Sequence, residues 1–191
     1  DMRLNPREGL SAAEFLETAS RESLVRAIRE YGEERRWSRV VNAIIEARGT
    51  GQLQRTLSAA DLVTRAVGGK HAKQRIHPAT KTFQGIRIAI NGELEALAMT
   101  LPKVFRALKP GGVLAIISFH SLEDRIVKRF MRKMSGRPQH RGDHSFVAER
   151  TAYAEMVQSK AIFPTKEEVM SNPRSRSARL RVLRKLRHPE M

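Results

Sequence analysis

The apolar run from Val113 to Ile117, five residues long, is the longest in this 191-residue chain. A membrane-spanning helix needs about 20 apolar residues, so this run is too short for one and has the length of a buried strand. The turn Lys109-Pro110-Gly111-Gly112 precedes it, and no helix continues through such a sequence. Helices are predicted on either side, one over Leu101–Leu108 and one that Ser121 caps and that runs to about Met134. This order is typical of an open α/β sheet, in which ligands bind beyond the carboxyl ends of the strands.

The sheet predicted around this strand is incomplete. A continuous apolar run is typical of a strand buried on both faces of a parallel sheet. Two further short strands, near Ala161–Phe163 and over Ala178–Leu183, are expected to close the sheet as an antiparallel pair. One strand and a hairpin do not make an α/β domain, so most of the parallel sheet is expected to lie outside this sequence. The chain opens on Asp1 instead of Met, which also favours a processed or truncated product.

The first hundred residues predict helices. Ser11 and Glu14 have the spacing of a capping box, in which two side chains satisfy free backbone N–H groups at a helix start. Apolar residues then recur at helical spacing, as expected for core-facing sides of helices. Pro78 suits the first turn of a long helix. Gly85 and Gly92 interrupt that helix, and each costs about 0.5–1 kcal/mol relative to alanine.

The charge of the chain points to a polyanionic partner. It carries 36 Lys and Arg against 20 Asp and Glu, a formal net charge of +16, and most of the excess lies in residues 125–191. Nucleic acid is the first candidate and an anionic membrane surface the second. The absence of Cys excludes a disulfide scaffold, a thiolate zinc site and a cysteine nucleophile. No signal-peptide pattern is visible in the first 20 residues, and a cytoplasmic location is expected.

Two basic segments are candidates for binding phosphate. Residues 75–84 place basic and polar side chains at the start of the long helix, and a helix N-terminus is a natural phosphate site. Residues 172–181 alternate arginine with other residues, which on a strand would point one row of guanidinium groups to a single face. The alternatives are an ordinary helix cap with exposed charges in the first segment and, in the second, a solvated edge strand protected from aggregation by its charge.

A third segment, residues 117–125, places two hydroxyls, one imidazole and two carboxylates around the carboxyl end of the predicted strand. Ser118, His120 and Asp124 are the residue types of a hydrolase triad. A triad is disfavoured because the Gly-x-Ser-x-Gly turn that exposes such a serine is not present. A metal site is disfavoured as well, since the segment lacks a second histidine at ligand spacing.

Five segments, spread over the whole chain, carry a resemblance to a known family. They are Asp1-Met2-Arg3, Tyr31-Gly32-Glu33-Glu34-Arg35, HPATKTFQ at 77–84, IISFHSLEDRIVKRFM at 116–131 and NPRSRSARLR at 172–181. In this order they resemble the bacterial small-subunit ribosomal RNA cytosine-N4 methyltransferases, the family known as MraW or RsmH. The resemblance implies an α/β fold, namely a class I, Rossmann-like methyltransferase sheet interrupted by an all-helical insertion. It also implies S-adenosylmethionine as methyl donor and a cytidine in small-subunit ribosomal RNA as target.

The resemblance also implies a division of the chain. Residues 1–9 would end an N-terminal methyltransferase segment, residues 10–95 would be the helical insertion, and residues 96–191 the returning part of the catalytic domain. The family's glycine-rich cofactor motif should precede Asp1, so no cofactor-binding residue is expected in this chain, which is expected to be inactive by itself. Asn5 stands where the family commonly has Asp, and Lys81 where Arg is usual.

Site residues follow from the resemblance in the same way. Asp1 would accept hydrogen bonds from the target amine, while Ser118, His120 and Ser121 would line a strand end and Asp124 would orient His120 or a basic side chain. The side chains expected to contact RNA are basic, and no metal ligand is expected. They are Arg3, Arg75, His77, Lys81, Arg87, Arg125, Lys128, Arg174, Arg176 and Arg179.

Two other functions remain open at this point. One is a non-catalytic RNA-binding or ribosome-assembly module that keeps the basic surface without the cofactor half. The other is an enzyme of the same sheet that acts on a different base or on DNA. The expected partner is small-subunit ribosomal RNA or the ribosomal subunit, with no membrane involved. A homo-oligomer is also considered, because an exposed sheet edge tends to self-associate.

Overall fold

The computed structural model describes residues 1–68, 76–140 and 151–189 as a mixed α/β protein. Its contacts divide the chain into two compact units, Asp1–Glu93 and Leu94–Met191. No helix in the described part of the chain has the length and apolar content required to cross a membrane.

The first unit is helical. The Ser11 hydroxyl accepts from the backbone N–H of Glu14 while the Glu14 carboxylate accepts from that of Ser11, which confirms the capping box. The Ser20 side chain caps the second helix by accepting from the Ser23 backbone N–H. The elements are α1 (Ala12–Thr18), α2 (Arg21–Val25), a π-helical segment that continues α2 (Arg26–Tyr31), α3 (Trp37–Glu46), α4 (Thr56–Ala66) and α5 (Thr80–Asn91).

The core of the first unit is built from aliphatic side chains on the inner faces of these helices. Leu24, Ile28, Val40, Ile44 and Ile86 are all almost completely buried in one cluster. Burying a side chain of this size contributes about 1.5–3 kcal/mol. The apolar stripes seen in the sequence are therefore core, as expected.

Two glycines explain how α5 packs and where it ends. A Cβ on Gly85 would overlap the Ala27 carbonyl oxygen and lie 2.6 Å from the Gly32 nitrogen. Glycine at position 85 thus lets α5 approach the backbone of the π-helical segment. The prediction of a single long helix is wrong, because Gly92 has φ +58° and ends α5 as its C-cap. Glycine adopts this left-handed conformation without steric cost.

The second unit contains a small sheet between helices. Its elements are α6 (Glu93–Ala107), β1 (Val113–Ser118), α7 (Ser121–Met134), β2 (Ala154–Met156), α8 (Lys166–Ser171), a 3₁₀ helix (Pro173–Ser177) and β3 (Arg179–Lys185). The strand order is β1-β3-β2, with β3 antiparallel to both neighbours. The strand expected near Ala161–Phe163 is reduced to one bridge between Ile162 and Leu180, and β2 takes its place in the sheet.

The two faces of the sheet differ. One face packs against α7 and α6 in a core that includes Phe105, Val127, Met131 and Leu183. The other face is apolar and exposed: Val113 is 50% and Ile117 57% exposed. Among the described residues β1 is therefore covered on one face, and the named strands all pair antiparallel. Burial of β1 on both faces of a parallel sheet stays a prediction. The described chain supplies helices to one face alone.

Candidate functional site

The loop after β1 is organised by the helix that follows it. The His120 Nδ1 accepts a hydrogen bond from the Glu123 backbone N–H at 3.3 Å, so His120 is the N-cap of α7. The Glu123 carboxylate in turn accepts from the backbone N–H groups of Phe119 at 2.9 Å and His120 at 3.3 Å. The expectation that Ser121 caps this helix is wrong, since Ser121 is its first residue. His120 thus accepts the hydrogen bond from the backbone N–H that a serine or threonine usually accepts in a capping box.

Glu123 also holds the histidine ring. The His120 Nε2 lies 3.2 Å from Glu123 Oε1. Nε2 is buried, and its geometry toward this carboxylate is not that of a hydrogen bond. Burial raises the pKa of Glu123, but the hydrogen bonds from His120 and the Phe119 N–H outweigh this effect and lower the pKa from its ordinary value. Sequence reasoning left Glu123 out of the site, although the three-residue spacing of a capping box could have revealed it.

Asp124 is the centre of a buried ion pair. Its Oδ1 accepts from Arg181 Nε at 2.7 Å, and its Oδ2 accepts from Arg181 Nη2 and from Arg179 Nη1, both at 3.1 Å. Asp124 is 7% and Arg181 8% exposed. Burial raises the pKa of Asp124, but the Arg181 and Arg179 guanidinium groups lower it more, so the net shift is downward. Asp124 was expected to orient either His120 or a basic side chain. In the structure its carboxylate binds two basic side chains, Arg179 and Arg181.

Ser118 and Arg179 complete the polar cluster at the carboxyl end of β1. These two residues are paired across the sheet, and the buried Ser118 hydroxyl donates to the Arg179 carbonyl oxygen at 3.5 Å. The Arg179 guanidinium lies 5.9 Å from the centre of the exposed Phe163 ring. Among the described residues, no side-chain hydrogen bond joins Ser118 to His120 or His120 to Asp124; the one bond between the last two runs from the Asp124 backbone N–H to the His120 carbonyl oxygen at 3.1 Å. The geometry is therefore not that of a hydrolase triad.

Asp1 and Arg3 lie in the first unit and bind each other. Arg3 donates from Nε to Asp1 Oδ1 and from Nη2 to Asp1 Oδ2, both at 2.8 Å, and from Nη1 to the Gly9 carbonyl at 3.1 Å. Asp1 Oδ1 also accepts from the Arg3 backbone N–H at 3.1 Å. Each oxygen of a carboxylate has two lone pairs, so one on Oδ2 is left without a partner among the described residues. The Arg3 side chain, which is 20% exposed, already has partners.

The other basic residues expected from the first unit have local partners. His77 Nδ1 accepts from the Ala79 N–H at 3.2 Å, and Lys81 Nζ donates to the Glu33 carbonyl at 3.3 Å. Arg87 forms a bidentate pair with Glu93 at 2.7 and 2.8 Å. A phosphate would have to displace that carboxylate. Arg75 lies outside the described residues.

The row of arginines expected on one strand is not formed. Arg174 and Arg176 lie on the 3₁₀ helix, where both are exposed. The turn is favoured by Pro173 at its first position, because proline has a backbone angle suited to a helical start and lacks the N–H that a strand would use. Arg179 and Arg181 do lie on β3, but both bind Asp124.

A basic groove runs along α7. Arg125 and Lys128, both expected to contact RNA, line it together with Arg129 and Arg132, which sequence reasoning missed. Their spacing of three, four and seven residues puts all four on one helix face, and that periodicity could have revealed the missed pair.

Fold and site together define a basic α/β protein with polar groups gathered at a strand end. The chain belongs to the MraW methylase family, whose model matches residues 1–186. The family expected from the sequence is thus confirmed.

Three relatives show how far this similarity extends. Each is named ribosomal RNA small subunit methyltransferase H. The one from Nitrosococcus oceani is 46% identical over 97% of this chain and 58% of its own length. The one from Cereibacter sphaeroides is 47% identical over 95% of this chain and 55% of its own length. The one from Bdellovibrio bacteriovorus is 45% identical over 100% of this chain and 53% of its own length. The chain therefore spans somewhat more than half the length of the curated relatives it matches.

Proposed function

We propose that this chain is part of an enzyme that transfers a methyl group from S-adenosylmethionine to N4 of a cytidine in small-subunit ribosomal RNA. The observation that carries the proposal is 45–47% identity, over nearly the whole chain, to proteins named for methylating that RNA. The net charge of +16 supports a polyanionic substrate. Because the proposed substrate is ribosomal RNA, we also propose a cytoplasmic location.

The sheet supports a larger catalytic domain. Within the described residues no strand pairs with the outer edge of β1, and its outward-facing side chains Val113 and Ile117 are half exposed. We propose that further strands of a Rossmann-like sheet pair with this edge in a protein of the relatives' length. Residues 10–95 would then be its helical insertion. The same exposed face would favour self-association of the isolated chain.

The described residues do not fit S-adenosylmethionine. A loop that receives such a cofactor in an open α/β sheet brings its backbone close to the ligand and needs glycines there. The loop after β1 holds Phe119 and His120 instead, and the carboxylates of Glu123 and Asp124 are already hydrogen-bonded. We propose that residues outside this chain hold the cofactor.

This chain's own residues would act on the target base. The exocyclic amine of cytosine is a poor nucleophile because its lone pair is delocalised into the ring, so orientation matters more than a strong base; positioning supplies up to about 7–11 kcal/mol. The remaining lone pair of Asp1 Oδ2 would accept one amine hydrogen, with Arg3 holding the carboxylate in place. Such a base must be single-stranded or turned out of its stack.

A second function is supported by the finding that the described residues do not fit S-adenosylmethionine. A chain with a basic groove and without a cofactor cradle among its described residues has the properties of a non-catalytic RNA-binding module. Action on another base or on DNA is the third possibility, and only identification of the modified nucleoside separates it from the first.

Methyl transfer to small ribosomal subunits tests these proposals. The chain, and a protein that extends it to the relatives' length, would be incubated with labelled S-adenosylmethionine and subunits lacking the modification. The longer protein is expected to produce N4-methylcytidine, identified by mass spectrometry of the nucleosides, and the chain alone is expected to produce none. Label on another base would contradict the cytosine assignment. RNA retention without any transfer by the longer protein would favour the non-catalytic module.

A further inference from the structure

Four basic side chains form a stripe on α7. The stripe is about 10 Å long, since an α-helix rises 1.5 Å per residue. The opposite face of α7 packs into the core through Val127 and Met131, which fixes the stripe toward the outside. Its members are Arg125, Lys128, Arg129 and Arg132.

The stripe is one wall of a concave groove. The segment Pro138-Gln139-His140 forms the other wall, and the groove has a volume of about 610 Å³. No carboxylate is among the described residues that line it. Lys128 and Arg129 form no ion pair with any described residue, and the Arg132 Nε is buried with no hydrogen-bond partner in the described structure. An anion that enters the groove would instead meet the Lys128 and Arg129 charges, which no described carboxylate neutralises, and would be stabilised by them.

We infer that this groove binds the sugar–phosphate backbone of a single-stranded RNA segment. The inference rests on the proposed function for the identity of the polyanion and adds Arg129 and Arg132 to its contacts. The guanidinium fork matches phosphate oxygens in pairs. No Phe, Tyr or Trp is among the described lining residues, so the groove tracks the backbone without a stacking platform and has little preference for base sequence. Its concave form and small volume suit one strand better than a duplex or a flat membrane.

Fluorescence anisotropy with a labelled, mixed-sequence RNA oligonucleotide tests the inference on the full chain. The variant Arg129→Gln/Arg132→Gln is expected to bind at least about tenfold more weakly at about 50 mM salt. Single strands contribute about −0.7 per phosphate contact to the slope of log K against log salt. Two lost contacts should therefore reduce its magnitude by about 1.4. The variant Arg129→Lys/Arg132→Lys keeps the charge and is expected to keep most of the slope.

The matched control is Lys103→Gln/Arg106→Gln, which removes the same charge from exposed positions of α6. It is expected to bind nearly as wild type, with circular dichroism and thermal melting showing that all variants fold. Equal losses in the control and groove variants would overturn the groove, as would wild-type affinity in the groove variant. Poly-glutamate binding as tightly as RNA would overturn the choice of nucleic acid. A groove that binds RNA in a longer protein without methyl transfer would contradict the proposed function alone. A wild-type chain that binds no RNA would contradict the groove and leave the proposed function to the methyl-transfer experiment.

Discussion

Asp124 on α7 and Arg181 on β3 are joined by two parallel hydrogen bonds, Oδ1 to Nε at 2.7 Å and Oδ2 to Nη2 at 3.1 Å. Both side chains are buried, and they are 57 residues apart in sequence. The pair ties the first turn of α7 to β3, the neighbour of β1 in the sheet. Its geometry supports a positioning role for Asp124, while a catalytic role for this residue stays a prediction.

Removing the Asp124 carboxylate is expected to destabilise the second unit. Asp124→Ala leaves Arg181 buried without its partner, and the loss of one member of a buried pair costs about 3–5 kcal/mol. Chemical denaturation monitored by circular dichroism measures the change. Glu155→Ala is the matched control, because Glu155 pairs with Arg184 at 3.0 Å with both side chains about half exposed, and such a pair is worth about 0–1 kcal/mol. Equal effects of the two substitutions would contradict a structural role for the buried pair.

Stability is expected to fall in acid because of Glu123 and Asp124. Hydrogen bonds to Glu123 and the arginines beside Asp124 lower the pKa of each carboxyl from its ordinary value in the folded chain. A carboxyl with a lowered folded pKa contributes stability above its unfolded pKa and loses that contribution as the pH falls through the folded value. The free energy of unfolding should therefore decline from about pH 5 downward. Glu123→Gln/Asp124→Asn should make this decline shallower; a decline as steep as that of the wild type would place its origin in other groups.

Gly85→Ala is expected to destabilise the first unit although alanine is the better helix former. The added Cβ would overlap the Ala27 carbonyl oxygen, and overpacking of this kind costs about 1–3 kcal/mol. The higher helix propensity of alanine stabilises the helix by about 1 kcal/mol, which does not offset that cost. The midpoint of thermal unfolding should fall. Gln84→Ala, one residue away on the same helix, is expected to leave it almost unchanged. A raised midpoint in Gly85→Ala would mean that α5 and the π-helical segment are not in close contact.

Lys185 is expected to stabilise the end of α6. This fully buried side chain donates from Nζ to the carbonyls of Phe105, Arg106 and Leu108 at 3.0, 3.1 and 2.5 Å. Lys185→Met would leave these acceptors without a donor, at about 1–3 kcal/mol for each one that stays dry, and the loss should appear in denaturant unfolding. Lys103→Met, at an exposed position of α6, is expected to stay within about 0.5 kcal/mol of the wild type. Similar losses in both variants would contradict the capping role of Lys185.

Local features of the fold could be predicted because their signals lie within a few residues. The capping box of Ser11 and Glu14, the turn before β1 and the presence of α7 all follow from spacing and residue type. The polar groups of residues 117–125 were found for the same reason. Where local signals compete, the prediction failed: Ser121 is a good cap by type, but His120 and Glu123 satisfy the free N–H groups first.

The sequence by itself determined the family, the basic charge, the helical character of the first unit and the strand that carries the polar cluster. Only the tertiary structure decided which charges meet. Strand register places Arg179 beside Ser118, packing of α7 against the sheet places Arg181 and Asp124 together, and the close approach of two helical backbones makes Gly85 necessary. The physical reason is the distance along the chain over which each interaction acts. Capping and turn formation depend on residues close in sequence. The partner of a buried charge depends on which distant segments come into contact when the apolar faces are buried.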